Sequence, residues 1–256
     1  MNQIRQEIGI IIKSPQEIAL MREAGRMVAA AIEALDRNVK PGITTAELDD
    51  IAIYELRKRG AISSFKGYRG FPAHICTSVN EEVVHGIPGD RVLNEGDIVS
   101  LDVGAKLNGY HADAAVTLGV GRISNEARQL IEATKGALRA GITAVKGAAR
   151  LGDVSAAIQS YAESRGFSVV REYVGHGIGR ELHEDPQVPN FGVAGEAILL
   201  QNGMTMALEP MLNAGAWRTK VAENKWTVVT ADGKLSAHFE HTIAIVDGGP
   251  EILTRL

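Results

Sequence analysis

The sequence predicts an α+β protein built from two related halves around antiparallel strands, and three observations carry that expectation. Helical and strand-like periodicities come in blocks, two helices followed by strands and then two helices followed by strands again. A stretch of the first block matches one in the second without a gap. Between two long apolar runs, Asn108-Gly109 marks a tight hairpin, because both central positions of such a turn need positive φ.

Ser14-Pro15 followed by Glu17 is an N-cap, a proline at the first helical position and a capping-box acid, which opens a helix through about Asp36. Ile18, Met21, Ala24, Gly25, Val28, Ile32 and Leu35 recur at helical spacing. Pro41-Gly42 breaks the chain, and a second helix runs from Thr45 to Gly60. Strands are predicted over roughly 74–80 and 98–120, helices over 124–141 and 152–165, and strands again from about 168. No linker rich in Pro, Ser or charge separates the halves, approximately 14–120 and 124–246, so residues 1–256 are expected to form one domain.

The repeat sets residues 39–61 on 145–167, pairing Val39 with Val145, Leu48 with Val154 and Gly60 with Gly166. Further on, 93–102 aligns with 200–209, pairing Gly96 with Gly203 and Asp102 with Glu209. Amphipathic helices that stop at glycine are common, so the helical part alone is weak. If the duplication is real, both halves contribute acids to a shared cleft.

Asp102, Asp113, Glu209 and Glu240 lie in the apolar runs DIVSLDVGAKL, YHADAAVTLGV, MTMALEPML and HFEHTIAIV. A carboxylate facing a core costs several kcal/mol unless it is paired, neutralised or metal-bound. No comparable set of basic residues accompanies these acids, and with His176 they form the oxygen-rich inventory of a two-metal site. The hairpin sets Leu107 opposite Tyr110, Gly104 opposite Asp113 and Asp102 opposite Ala115. Asp102 and Asp113 are then diagonal neighbours on one face, with Cα atoms about 7–8 Å apart. His176 sits among Gly175, Gly177 and Gly179, where the backbone can approach a ligand closely.

Composition limits the partners. A net charge of −4 and a pI near 6.0 offer no basic footprint for nucleic acid. The single cysteine, Cys76, fits a reducing compartment, and no apolar run approaches the roughly 20 residues needed to span a bilayer. The N-terminal apolar stretch is short, broken by Lys13 and without a small-residue cleavage site, so the expected location is the cytoplasm.

The series LDVGAKLNGYHADAA, GHGIGRELHEDPQV, MALEPML and HFEHTIAIV, in that order and spacing, closely resembles the type I methionine aminopeptidases, in their short form without a zinc-finger extension. The similarity runs from about Ile11 to Val246. It implies the pita-bread fold, two related α+β halves packing a curved antiparallel sheet with metals at its centre. It implies that Asp102, Asp113, His176, Glu209 and Glu240 hold two divalent ions (Mn, Fe, Co or Zn), with Asp113 and Glu240 bridging. A hydroxide shared by the metals would attack the scissile carbonyl. Glu209 would carry the proton to the leaving amine, and His85 and His183 would flank the substrate amide. The resemblance further places Phe65, Tyr68, Phe71, Cys76, Leu182 and Trp226 around a methionine pocket. Phe65 stands where a second cysteine often occurs in this family, Phe71 where tyrosine does, and Leu182 where phenylalanine does. Cys76 itself has nothing adjacent to lower its pKa and is not expected to act as a nucleophile.

The implied substrates are nascent chains, met near the ribosome, whose initiator methionine precedes a small residue, and the family is mostly monomeric. Two rivals share the fold: an Xaa-Pro peptidase, which usually carries an additional N-terminal domain, and a non-catalytic pita-bread binding protein, of a kind that loses metal ligands.

Overall fold

A computed structural model describes residues 9–255; the start of the N-terminal stretch read for a signal sequence lies outside the described residues. The first half comprises α1 (Pro15–Asn38), α2 (Thr45–Lys58), β1 (Ile62–Ser63), β2 (Cys76–Val79), β3 (Glu82–Val84), β4 (Ile98–Leu107) and β5 (Tyr110–Gly119). The second comprises α3 (Asn125–Ala144), α4 (Leu151–Glu163), β6 (Ser168–Val169), β7 (Gly175–Gly177), β8 (Glu184–Val188), β9 (Thr205–Leu208) and β10 (Met211–Asn213). It ends with β11 (Thr219–Val221), β12 (Val228–Thr230), β13 (Ser236–His238), β14 (His241–Val246) and β15 (Gly249–Ile252).

Local chemistry sets the helix starts. Ser14 and Glu17 form the capping box expected of them, with Pro15 in the first turn of α1. Thr44 and Glu47 do the same for α2, and Arg150 and Asp153 close the start of α4. Isolated bridges tie Thr44 to Val92 and Arg150 to Leu199. Gly60 and Gly166 both have positive φ after their helices, as do Gly96 and Gly203 in the turns before β4 and β9.

The central hairpin adopts the register expected from its turn. Asn108 and Gly109 have φ of 51° and 84°, Leu107 pairs with Tyr110, Gly104 with Asp113, and Asp102 with Ala115. Strand alternation turns Leu101, Val103 and Ala105 into the core under α1 and α2 and leaves Asp102 on the opposite face. In the second half β15, β14, β9, β7 and β8 form a five-stranded antiparallel sheet, and α3 and α4 bury Leu130, Val154 and Ile158 with Met206, Leu208 and Ile243. The halves join through backbone hydrogen bonds exchanged by Ala115 and Glu240, 2.9 and 3.3 Å, and through His111 N–H to Gly179 O at 2.8 Å.

The structure corrects two sequence readings. Glu240 is not inside a strand but lies between β13 and β14, whereas Glu209 follows β9 directly, at the strand end that Pro210 marks. Both occupy corners where the chain leaves one sheet for another, since β9 and β14 belong to the five-stranded sheet and β10 and β13 to a three-stranded one. The glycines beside His176 also have another cause than ligand approach. A Cβ at Gly175 would lie 2.3 Å from Ala207 O, and one at Gly177 would lie 2.1 Å from Asp185 O. These glycines let β7 press against its neighbours and sink His176 into the sheet. Gly177→Ala is therefore expected to cost about 2 kcal/mol, seen as a fall of roughly 4–8 °C in thermal midpoint; an unchanged midpoint would contradict this packing account.

Candidate metal centre

Asp102, on β4, and Asp113, on β5, present their carboxyls to one cavity of about 160 Å³, where they meet His176, Glu209 and Glu240 from the second half. His85, His183 and the six aromatic, cysteine and leucine residues expected of the pocket line the same cavity. All thirteen residues singled out from the sequence thus converge on one place. A larger groove, about 620 Å³, opens between α1, α3 and β5, but it contains none of them.

Asp113, His176 and Glu240 are buried and offer ligand atoms that all lie within 4.8 Å of one another. His176 Nε2 is 3.5 Å from Asp113 Oδ2 and 3.6 Å from Glu209 Oε1. The Thr242 hydroxyl donates to Asp113 and also accepts from its backbone N–H, which fixes this carboxylate. Asp102 hydrogen-bonds Cys76, its cross-strand partner, through one oxygen, while Oδ1 is buried without a partner. Among the described residues no lysine or arginine forms an ion pair with any of the four acids.

Burial raises the Asp102, Glu209 and Glu240 carboxyls well above the ordinary range, and their acidic neighbours push them further. Asp113 is raised by burial to about 6, the Thr242 hydrogen bond holding it back, and it shares a hydrogen bond with Glu240. The imidazoles move the other way: burial lowers His176 and His183 to about 4 and lowers His85 too, so near neutrality they are uncharged. Four acids that resist ionising together, one orphaned carboxylate oxygen and a neutral imidazole fit divalent cations, which would relieve the repulsion and accept every lone pair. The donor set is hard and oxygen-rich, with one nitrogen.

The remaining residues surround this cluster. His183 Nδ1 lies 2.9 Å from Tyr68 Oη, and its ring stacks on that tyrosine with centroids 5.2 Å apart. His85 has φ of 60°, uncommon for a non-glycine residue, and meets Tyr173 edge-on at 5.8 Å. Phe71 packs edge-on against Trp226 at 5.2 Å, and Phe65 and Leu182 are buried in the same apolar group. Cys76 is buried and its thiol pKa is raised, first by burial and then by Asp102, which agrees with a structural rather than nucleophilic role. Outside this group, the guanidiniums of Arg171 and Arg218 lie over the Trp217 ring, 5.2 and 5.0 Å from its centroid.

Sequence reasoning missed three neighbours of the cluster. Arg69, at the cavity mouth, has φ of 48° in the turn Tyr68–Gly70, and no pattern in the sequence marks it. Thr242 was within reach, since it stands two residues after Glu240 on the same alternation, and its hydroxyl anchors the facing strand at Asp113. His238 is buried with Nε2 3.8 Å from Glu209 Oε2, and only its alternation with Glu240 hinted at it.

The matches to known proteins agree with this geometry. The model of metallopeptidase family M24 matches residues 19–247. Methionine aminopeptidase 1 of Bacillus subtilis is 56% identical over 247 residues, covering 96% of this chain and 100% of that protein. The crystal structure of a Thermotoga maritima methionine aminopeptidase superposes with a TM-score of 0.95 at 48% identity, covering 96% of this chain and 100% of that one. An Xaa-Pro dipeptidase from Bacillus anthracis superposes with a TM-score of 0.75 at 26% identity, covering 96% of this chain but 62% of that one.

Proposed function

The chain belongs to metallopeptidase family M24, with the pita-bread fold, and on that premise we propose that it is a metal-dependent aminopeptidase that removes N-terminal methionine from peptides and proteins with a small second residue. The observation that carries this reading is the small cavity itself: apolar and aromatic at Phe65, Phe71, Leu182 and Trp226, acidic at its floor. At about 160 Å³ it is well below the ~300 Å³ at which drug-sized sites begin. It suits one unbranched side chain, and the soft sulfur of methionine favours aromatic and thiol walls. An Xaa-Pro specificity is not favoured, because the relatives at about half identity or more are methionine aminopeptidases.

Asp102, Asp113, His176, Glu209 and Glu240 would hold two divalent ions. Mn, Fe, Co and Zn all accept such a donor set, and availability selects among them. Bound there, the ions supply Lewis acidity, acidifying water and polarising the scissile carbonyl. The chain's own groups do the rest. Glu209, a carboxylate at the cavity floor, would carry the proton to the leaving amine. His183, with Nδ1 engaged by Tyr68, turns its other nitrogen to the substrate amide. Neutral His85 and His183 donate hydrogen bonds that strengthen as charge develops on the carbonyl oxygen. The aromatic walls exclude water and orient the methionine.

Nascent chains near the ribosome are the proposed substrates, in the cytoplasm, with the protein acting as a monomer. No nucleic-acid partner is proposed, since the net charge of −4 favours none. Among the described residues no helix is long and apolar enough to cross a membrane. The metal-stripped protein is expected to cleave nothing, and Mn, Co or Fe to restore release of methionine from a Met-Ala-Ser peptide. Release that persists in chelator, or a preference for Xaa-Pro peptides, would sink the proposal.

A further inference from the structure

Leu182 and His183 reach the cavity on a turn, Ile178 to His183, that enters from β7 and leaves through β8, where pairing shifts between His176 and Gly177. Beneath that turn lies Lys13, in the extended segment ahead of α1, with its backbone N–H bonded to Gly203 O at 2.8 Å. Its side chain is 2% exposed, and its ammonium is ion-paired to the carboxylate of Glu184, itself 4% exposed and next in sequence to His183. The same ammonium donates to Ile11 O at 3.1 Å. The other Glu184 oxygen accepts the Glu181 N–H at 3.3 Å, so the carboxylate ties the two ends of the turn. A Cβ at Gly179 would lie 2.5 Å from Lys13 Cε and 2.7 Å from Glu184 Oε1, which means the turn is shaped around the pair. Arg180 adds an exposed contact to Glu17 at 3.2 Å.

A buried ion pair contributes little net stability compared with apolar residues of the same volume, but breaking it leaves a charge stranded. Its value lies in direction, since a carboxylate that must meet one ammonium has few other places to go. We propose that Lys13 and Glu184 are positioning residues for the aminopeptidase reaction, acting through His183 by fixing the turn that presents its imidazole to the substrate amide. This rests on the reading of His183 given above.

The test uses the full chain loaded with Mn, as Lys13→Met, His183→Ala and the double variant, with kcat and KM on Met-Ala-Ser and amide exchange of residues 178–185 measured without peptide. Lys13→Met is expected to lower kcat by about tenfold to a hundredfold with KM little changed, and to speed exchange in the turn by about tenfold. In the His183→Ala background it is expected to cost less than about twofold, because a residue that acts through His183 has nothing left to position. Equal losses in both backgrounds, or exchange that stays as in the unaltered protein, overturns the proposal. Should Lys13→Met fail to fold, Glu184→Gln, which weakens the pair but keeps the acceptor for Glu181, carries the same comparison. If the unaltered loaded protein cleaves nothing while the turn still exchanges faster in the variant, the role of His183 falls and the clamp stands.

Discussion

Asp113→Asn is expected to reduce metal uptake from two ions per chain to one at most, and to lower kcat/KM by about a thousandfold or more, since Lewis-acid assistance is worth several kcal/mol. The substitution is nearly isosteric. Asn can still accept the Thr242 hydroxyl that Asp113 accepts at 3.0 Å, so the hairpin and its register should survive. What disappears is the negative charge and the second acceptor of a group whose Oδ2 faces His176 and which shares a hydrogen bond with Glu240. A bridging ligand needs both oxygens, and an amide offers one. Stability should respond with opposite signs in the two states: without metal the variant should melt higher than the unaltered protein at pH 8, because a buried carboxylate has been neutralised. With metal it should melt lower. Calorimetry returning the same stoichiometry for both proteins would remove Asp113 from the bridging position.

How much of this was readable in the chain depends on which forces set each residue's place. Asp102 and Asp113 could be placed together because a two-residue turn and strand alternation fix a face by local geometry alone, and the observed pairs are those the turn dictates. Glu209 and Glu240 could be recognised as misplaced acids but not located, because they stand at corners between sheets, and corners are set by tertiary packing. Pro210 after Glu209 marked the break. His176 was found among glycines whose reason turned out to be the approach of Ala207 and Asp185 backbone. Lys13 shows the limit most clearly. In sequence it is a charge interrupting an apolar N-terminal run; in the fold it is buried against an acid 171 positions away. No local signal connects them. The pocket residues Phe65, Phe71 and Leu182 were reached only by family resemblance, since aromatic and leucine positions are ordinary core unless a cavity lies beside them.

The acids that make the site also predict its cost without metal. A carboxyl whose folded pKa is raised binds protons in the folded state that the unfolded chain releases, so stability is lost as pH rises from the unfolded value near 4 through the folded one. Asp113, raised to about 6, has spent its share by neutral pH. Asp102, Glu209 and Glu240, raised well above their ordinary values, extend the loss to higher pH. The histidines oppose this below pH 6.5, because His111, His176, His183 and His241, lowered to about 4, and His238, lowered to about 3, stay neutral in the fold while the unfolded chain takes up protons, and these five outweigh the four acids. The metal-free protein should therefore be most stable near pH 6–6.5, where the two effects cross. Above it, stability should fall by about 1.4 kcal/mol per pH unit for each carboxyl still protonated in the fold. Divalent ions that bind the ionised acids cancel that slope, since binding displaces those protons. Thermal melts from pH 6 to 8 with and without Mn test this directly: the two midpoints are expected to diverge as pH rises, and binding enthalpies measured in several buffers should show protons released on metal uptake. Midpoints that run parallel across that range would mean that the four carboxylates are already ionised in the empty site, and that the acids are paired by something other than metal.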